Sequence, residues 1–273
     1  MRYVAELAYK GTAYQGWQIQ PNTPRTIQQV VQDRLSVLLQ QPVTVMAAGR
    51  TDAGVHAAQN FIHFDLDAPL PHDALRRINF LLPQDIAIYG FFTVAADFHV
   101  RFDATARTYH YFISYRKNPL LSELVCYYPY PPLDVERLNE AAALFLQHSD
   151  FAAFSKKRTQ VRTSRCSLKE AVWFWNDSEQ LLTFRVTADR FLRGMVRGLV
   201  ATSLRYARGK LSSDNLIRLL QSRRPERTDF SAPAQGLMLT QVQYSKPMQP
   251  LTAHPAIARR ALLTMPHHEV FPF

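Results

Sequence analysis

The sequence predicts an α+β fold of two similar, consecutive α/β halves, each with a mixed, mainly antiparallel sheet and covering helices. Segments with an apolar residue at every second position are typical of half-buried strands, and segments with apolar residues three and four apart are typical of amphipathic helices. The two kinds of segment do not alternate strictly, as they would in a doubly wound parallel fold. A chain of 273 residues, 47% of them hydrophobic, is long enough for two such halves.

In the first half, alternation predicts four strands: residues 2–9, 43–47, 60–67 and 85–95. A helix is predicted to begin after Thr26, whose hydroxyl caps it while Gln29 closes a capping box. A second helix is predicted over 73–82. The polar stretch AAGRTDAGVHAAQ, residues 47–59, therefore joins two strands.

In the second half, the same patterns predict strands and helices: strands over 107–116, 167–176, 181–188 and 236–244, and helices over 134–147, 191–208 and 213–222. We expect halves of residues 1–105 and 106–245, followed by a proline-rich tail over 246–273. A cleft between two such halves is a natural place for a site, and here we expect it to be basic.

Composition indicates a polyanionic partner. The chain carries 32 lysines and arginines against 22 acidic residues, a net charge of +10, and its basic residues cluster with aromatic ones. RNA or DNA fits better than a membrane surface, because the arginine-rich stretch 190–208 has apolar residues typical of core packing. No apolar run reaches a membrane span, and the alternating N-terminus does not resemble a signal peptide, so we expect a cytoplasmic protein. Cys126 and Cys166 are too far apart and too few to predict a disulfide framework or a zinc site.

Asp52 is the strongest candidate for chemistry. A loop aspartate beside glycines is often only a turn former, but Arg50 lies two residues upstream and can pair with it or orient it. An ionised, oriented carboxylate can serve as nucleophile, general base or metal ligand. The metal reading is weak because His56 is the one other candidate ligand nearby. We therefore expect no metal.

Tyr109 and Tyr111 share one face of a predicted strand, with Arg107 beside them. Enzymes that act on a nucleobase take it out of its stack and hold it against aromatic side chains. Either tyrosine can offer such a ring, but both also fit an ordinary strand core, and for Tyr111 we favour the core interpretation.

The motif GRTDAGVHA, Gly49 to Ala57, resembles the signature of the bacterial tRNA pseudouridine synthase A family. Further similar segments follow in the family's order over residues 3–245: GTAYQGWQ, LLPQDIAI, FHVRFDATARTYHY, DFAAFS, FLRGMVRGLVA and APAQGLMLTQVQY. The resemblance implies the pseudouridine synthase fold and isomerisation of uridine at positions 38, 39 and 40 in the anticodon arm of tRNA. It also implies a homodimer that needs no cofactor.

Carried onto this sequence, the resemblance places the nucleophile at Asp52, the base-flipping arginine that pairs with it at Arg50, and the tyrosine that stacks on the target base at Tyr109. It implies a larger set of tRNA-binding and pocket residues: Phe98, His99, Val100, Arg101, Phe102, Lys117, Arg158, Arg162 and Leu237. Arg197 matches a helix motif and is expected to be a structural ion-pair partner.

The sequence departs from the family pattern at four positions: Lys10 for an aspartate, Gln59-Asn60 for Gly-Gln, Ala201 for a glycine and Cys166 for an arginine. We expect these changes to leave the chemistry intact. Two other functions stay open. The stretch DLDAP, residues 65–69, faintly resembles the loop of aspartyl-phosphate phosphatases, and a tRNA-binding chaperone without catalysis would share the basic composition.

Overall fold

The computed structural model describes residues 1–23, 25–156, 163–177 and 180–253. Its internal contacts divide the chain into two units. The first unit contains residues 1–105 and 239–253, and the second contains residues 106–238. This division departs from the predicted one after residue 238: the strand predicted over 236–244 returns to the first unit, and part of the predicted tail is a strand of that unit.

The first unit contains six strands and two helices in its described residues. The strands are β1 (Arg2–Tyr9), β2 (Met46–Ala47), β3 (His56–Asp65), β4 (Ile86–Thr93), β9 (Leu237–Tyr244), which begins in the second unit, and β10 (Gln249–Ala253). They lie in the order β10-β4-β1-β3-β9, with β2 also on β3, and β1 is antiparallel to both of its neighbours. The helices are α1 (Ile27–Leu39) and α2 (Ala74–Leu81).

The N-terminus of α1 shows why this segment becomes a helix. The Thr26 hydroxyl accepts a hydrogen bond from the Gln29 N–H, as predicted. The prediction of a capping box is wrong, because the Gln29 side chain donates to Asp33 one turn ahead. On the inner face, Ile27, Val31, Leu35 and Leu38 are buried, which supplies the apolar contact that stabilises a short helix.

The second unit contains β5 (Ala104–Ser114), β6 (Cys126–Tyr127), β7 (Leu168–Asn176), β8 (Leu181–Ala188) and three helices, α3 (Val135–Leu146), α4 (Met195–Ala207) and α5 (Ser213–Gln221). Strands β5 and β7 both pair antiparallel with β8, and β6 pairs parallel with β5. The predicted mixed, mainly antiparallel α+β architecture is confirmed. Helix α4 begins four residues later than predicted, after Gly194 in the left-handed conformation (φ 76°).

In the parts of the chain that the structure describes, no helix combines the length and the apolar composition needed to cross a membrane.

Candidate functional site in the Asp52 loop

The Asp52 loop, residues 48–55, joins β2 to β3 in the first unit. Within the loop, Thr51 and Val55 are buried, Asp52 is half-buried, and Arg50 and Ala53 are exposed. The N–H of Val55 donates to the carbonyl of Asp52 (3.1 Å), which closes a turn. Gly54 occupies this turn with φ 77°, a conformation that favours glycine. The loop thus leaves Asp52 partly accessible to solvent.

Two glycines of the segment GTAYQGWQ lie against the backbone of this loop. A Cβ on Gly16 would lie 2.8 Å from the carbonyl oxygen of Thr51, and one on Gly11 would lie 2.0 Å from that of Val55. Neither approach is possible for a residue with a side chain. Main-chain hydrogen bonds complete the contact, from Trp17 N–H to the Thr51 carbonyl (3.0 Å) and from Gly54 N–H to the Tyr14 carbonyl (3.4 Å).

Side chains fix the loop from within the core. The hydroxyls of Tyr9 and Thr51 are 2.8 Å apart and hydrogen bonded. Burial raises the pKa of Tyr9 to about 12, so this phenol stays protonated at neutral pH. Nδ1 of the buried His56 accepts the N–H of Gly11 (3.0 Å), which leaves this imidazole nitrogen engaged within the protein.

Asn60 holds the start of the loop. Its Oδ1 accepts the Gly49 N–H (3.1 Å) and its Nδ2 donates to the Gly49 carbonyl (2.9 Å), and the residue is fully buried. Asn60 is one of the departures from the family pattern. This departure lies closer to the candidate catalytic loop than the sequence indicates, because Asn60 contacts the backbone of that loop at Gly49.

The structure places Arg50 and Asp52 two residues apart on one loop, with Asp52 half-buried. Arg50 extends into solvent, where a pair between exposed charges contributes little stability. Among the described residues, no group of three or more histidine, cysteine, aspartate or glutamate side chains is placed to hold a metal ion.

Tyr109 belongs to the second unit, on β5 opposite Val186 of β8. Its ring meets Phe191 edge to face at 5.1 Å, and the side chain is buried except for about 8% of its surface. Tyr111 is completely buried, and its hydroxyl donates to the Pro233 carbonyl (2.9 Å). The core interpretation of Tyr111 is confirmed.

The segment FHVRF, residues 98–102, divides into buried and accessible side chains. Phe98 and Val100 lie in the core, where Phe98 packs against Tyr244. Both were predicted to bind tRNA, but their buried side chains are not available for it. Phe102 is 75% exposed, with the His99 ring 4.3 Å and the Arg101 guanidinium 5.7 Å from its ring. These three side chains form a partly exposed group of aromatic and basic character.

The remaining residues predicted to bind tRNA or line the pocket belong to other elements than the Asp52 loop. Lys117 is exposed after β5, and Leu237 is buried at the start of β9. Arg158 and Arg162 lie outside the described residues. The predicted ion pair of Arg197 is not found among the described residues; its guanidinium donates to the carbonyls of Ala232 and Phe230 instead.

Two further features bear on the choice of site. A cavity of about 360 Å³ in the second unit is lined in part by His148, Cys166 and Asp189, and it contains none of the predicted site residues. At the phosphatase-like stretch, both oxygens of Asp65 accept hydrogen bonds from Arg2 (2.9 and 2.8 Å). That hydrogen-bonded pair lowers the pKa of Asp65 and occupies the carboxylate, which argues against a phosphoryl acceptor there.

Comparison with known proteins identifies the family of this chain. The family profile described as tRNA pseudouridine synthase matches residues 141–245. The chain is 46% identical over 246 residues to tRNA pseudouridine synthase A of Porphyromonas gingivalis, covering 89% of this chain and 97% of that protein. It is 44% identical over 245 residues to the Bacteroides fragilis protein of the same name (89% and 96% covered) and 34% identical over 245 residues to that of Staphylococcus aureus (89% and 91% covered). With such similarity along most of its length, the chain belongs to the tRNA pseudouridine synthase A family of isomerases.

Proposed function

We propose that this protein converts uridine to pseudouridine at positions 38, 39 and 40 in the anticodon arm of tRNA, with Asp52 as the nucleophile. The observation that carries the proposal is the Asp52 loop. Its backbone is held by Gly11, Gly16 and Asn60, while Asp52 itself stays half-buried. Such a preorganised carboxylate beside an exposed arginine suits a reaction on a bound nucleotide.

The reaction rearranges bonds within one nucleotide. The N1–C1′ glycosidic bond breaks, the uracil turns while it stays enclosed, and C5 bonds to C1′. The C5 proton leaves to solvent and N1 gains a proton, so the product is an isomer of the substrate. No electrons are gained or lost, so neither a redox cofactor nor an energy source is required. Asp52 can attack C6 of the uracil or C1′ of the sugar, or can remove a C2′ proton to give a glycal. All three routes require an ionised carboxylate.

Arg50 and Tyr109 complete the proposed machinery. The target base must leave its stack, which costs a few kcal/mol. Arg50 is exposed, so its guanidinium is available to enter the vacated stack. Tyr109 supplies an aromatic ring held in place by Phe191. Stacking of a base on such a ring is worth roughly 1 to 3 kcal/mol and offsets much of the cost.

The accessible tRNA contacts in this proposal are His99, Arg101, Phe102 and Lys117, with Arg158 and Arg162 from the second basic segment. We further propose that the enzyme acts as a homodimer in the cytoplasm. The net charge of +10 supports a polyanionic substrate.

The decisive experiment replaces one atom of the nucleophile. We expect Asp52→Asn to abolish tritium release from tRNA labelled at uridine C5 while tRNA affinity stays within about twofold, because phosphate contacts supply most of that affinity. Asp67→Asn is the matched control, since Asp67 is an exposed aspartate just beyond β3. Pseudouridine formation by Asp52→Asn would disprove the assignment. Absence of tritium release from the wild type would favour the tRNA-binding chaperone.

A further inference from the structure

An exposed arginine lies against two tyrosine rings in the second unit. Arg208 ends α4, and its guanidinium carbon is 4.7 Å from the ring centre of Tyr128 and 5.2 Å from that of Tyr130. Its Nε donates to the Tyr128 hydroxyl. The two tyrosine rings meet edge to face at 5.0 Å. The rings and the hydrogen bond together fix the orientation of the guanidinium at the surface.

Packing within the fold does not explain why Tyr127 and Tyr130 are exposed. Tyr128 is buried, whereas its neighbours Tyr127 and Tyr130 are 48% and 60% exposed. Tyr130 lies between Pro129 and the pair Pro131–Pro132. Proline fixes φ, so the chain presents this ring with little conformational freedom left to lose on binding. Rigid exposed tyrosines of this kind are typical of recognition surfaces.

Positive charge surrounds these rings. Ser114 of β5 is in register with Tyr127 of β6, so the exposed Arg116 and Lys117 follow directly beside it. Lys210, also exposed, lies two residues beyond Arg208.

Glu123, four residues before Tyr127, is exposed, whereas two other acidic groups are engaged with protein donors. Asp177 accepts from the indole N–H of Trp175 (2.6 Å), and Glu140 accepts from the hydroxyl of Tyr206 (2.9 Å). The surface therefore carries cations whose charge is available to a partner.

We propose that Tyr127, Tyr130 and Arg208, with Arg116, Lys117 and Lys210 around them, form a second RNA-contacting surface, here called the Tyr130 surface. It shares Lys117 with the tRNA contacts of the proposed function. An unpaired base would stack on Tyr130, while the guanidinium and the flanking cations meet phosphates. Aromatic rings combined with arginine and lysine are the groups that bind single-stranded or looped RNA. A second copy of this chain would bring like charge against these cations, which disfavours it as the occupant.

This inference rests on the proposed function for the identity of the RNA, but its test needs no turnover. In the Asp52→Asn background, the Kd for an unmodified tRNA transcript is measured between about 50 and 200 mM KCl. We expect Tyr130→Ala to weaken binding about tenfold and Tyr130→Phe to change it less than twofold, because the phenylalanine ring still stacks. Arg208→Ala should reduce the slope of log Kd against log salt by about 1, and Arg208→Lys should preserve that slope.

Matched controls lie on α2 of the first unit. Phe80 is 81% exposed and the Arg76 side chain 73% exposed, so Phe80→Ala and Arg76→Ala remove comparable groups elsewhere, and we expect an unchanged Kd. Urea unfolding of each variant checks that the fold is retained.

Three outcomes would overturn the inference. One is an unchanged Kd in both Tyr130→Ala and Arg208→Ala, and another is an equal loss of affinity in the controls. The third is dissociation of a dimer by Tyr130→Ala in sedimentation, which would make this face a contact between protein chains. Failure of the wild type to form pseudouridine would overturn the proposed function alone, since the comparison of Kd values would still decide the Tyr130 surface.

Discussion

At the scale of single residues, an asparagine side chain can position a loop as firmly as a strand pair does. Asn60 satisfies both main-chain groups of Gly49 and also accepts the N–H of Phe61 (2.9 Å). Asn79 of α2 binds both main-chain groups of Ile88 in the same way, and Asn139 of α3 does so with Trp173. These three clamps share one geometry, but Asn60 alone among them contacts the Asp52 loop.

Comparing Asn60 with Asn79 distinguishes an effect on stability from an effect on catalysis. We expect Asn60→Ala to lower the free energy of unfolding by about 2 kcal/mol, because it leaves two main-chain groups without partners. It should also lower kcat about 10- to 100-fold by displacing the Asp52 loop, with a smaller change in KM. Asn79→Ala should cost similar stability in urea unfolding and leave kcat unchanged. Equal effects on kcat would show that Asn60 has a structural role alone.

The sequence predicts the residue types of the site better than their contacts. Asp52, Arg50 and Tyr109 are recognisable because each sits in a distinctive local motif. The roles of Asn60 and Tyr9 depend on which main-chain groups lie next to them in the folded sheet, which no local pattern encodes. The buried positions of Phe98 and Val100 were missed because their segment also contains Arg101 and the exposed Phe102.

At the scale of elements, the segment GTAYQGWQ packs against the backbone of the Asp52 loop and fixes its shape. We expect Gly16→Ala to destabilise the protein by at least about 2 kcal/mol and to lower kcat, because the new Cβ would clash with the Thr51 carbonyl at a residue with φ 85°. Gly209→Ala is the control. Gly209 has φ 70°, but nothing lies within 4 Å of a Cβ built there, so this variant should lose only about 1 kcal/mol and keep its kcat. Chemical denaturation and steady-state kinetics test both expectations.

Most elements follow from periodicity, because burial of one face dictates it. The strands β1, β4, β5, β7 and β8 and all five helices are confirmed, with boundaries that shift by a few residues. Strand β10 was placed in a tail because Pro250 and the surrounding prolines are typical of irregular structure. Pairing with the exposed edge of β4 makes it a strand, and an edge position tolerates proline.

At the scale of the whole molecule, folding stability depends on protons. Burial, together with the charges of His99 and Arg2, lowers the pKa of His63 from 6.5 to about 4. Between these values the unfolded chain binds a proton that the folded chain does not, so the free energy of unfolding should fall as the pH decreases from about 6.5 to 4. Urea unfolding at several pH values measures the slope. His63→Gln should reduce it, whereas replacement of the exposed His72 by Gln should not.

The discontinuous first unit also bears on how the protein is made. A ribosome completes the whole of residues 106–238 before it supplies β9 and β10, which flank β3 and β4. Until then, two sheet edges of the nascent chain lack their neighbours and are open to wrong pairing. During synthesis we therefore expect the later-encoded unit to mature first. Chains that end at residue 238 and are held on the ribosome by a linker long enough to span its exit tunnel should show protease resistance in 106–238 and cleavage within 1–105. Early protection of 1–105 would contradict this order.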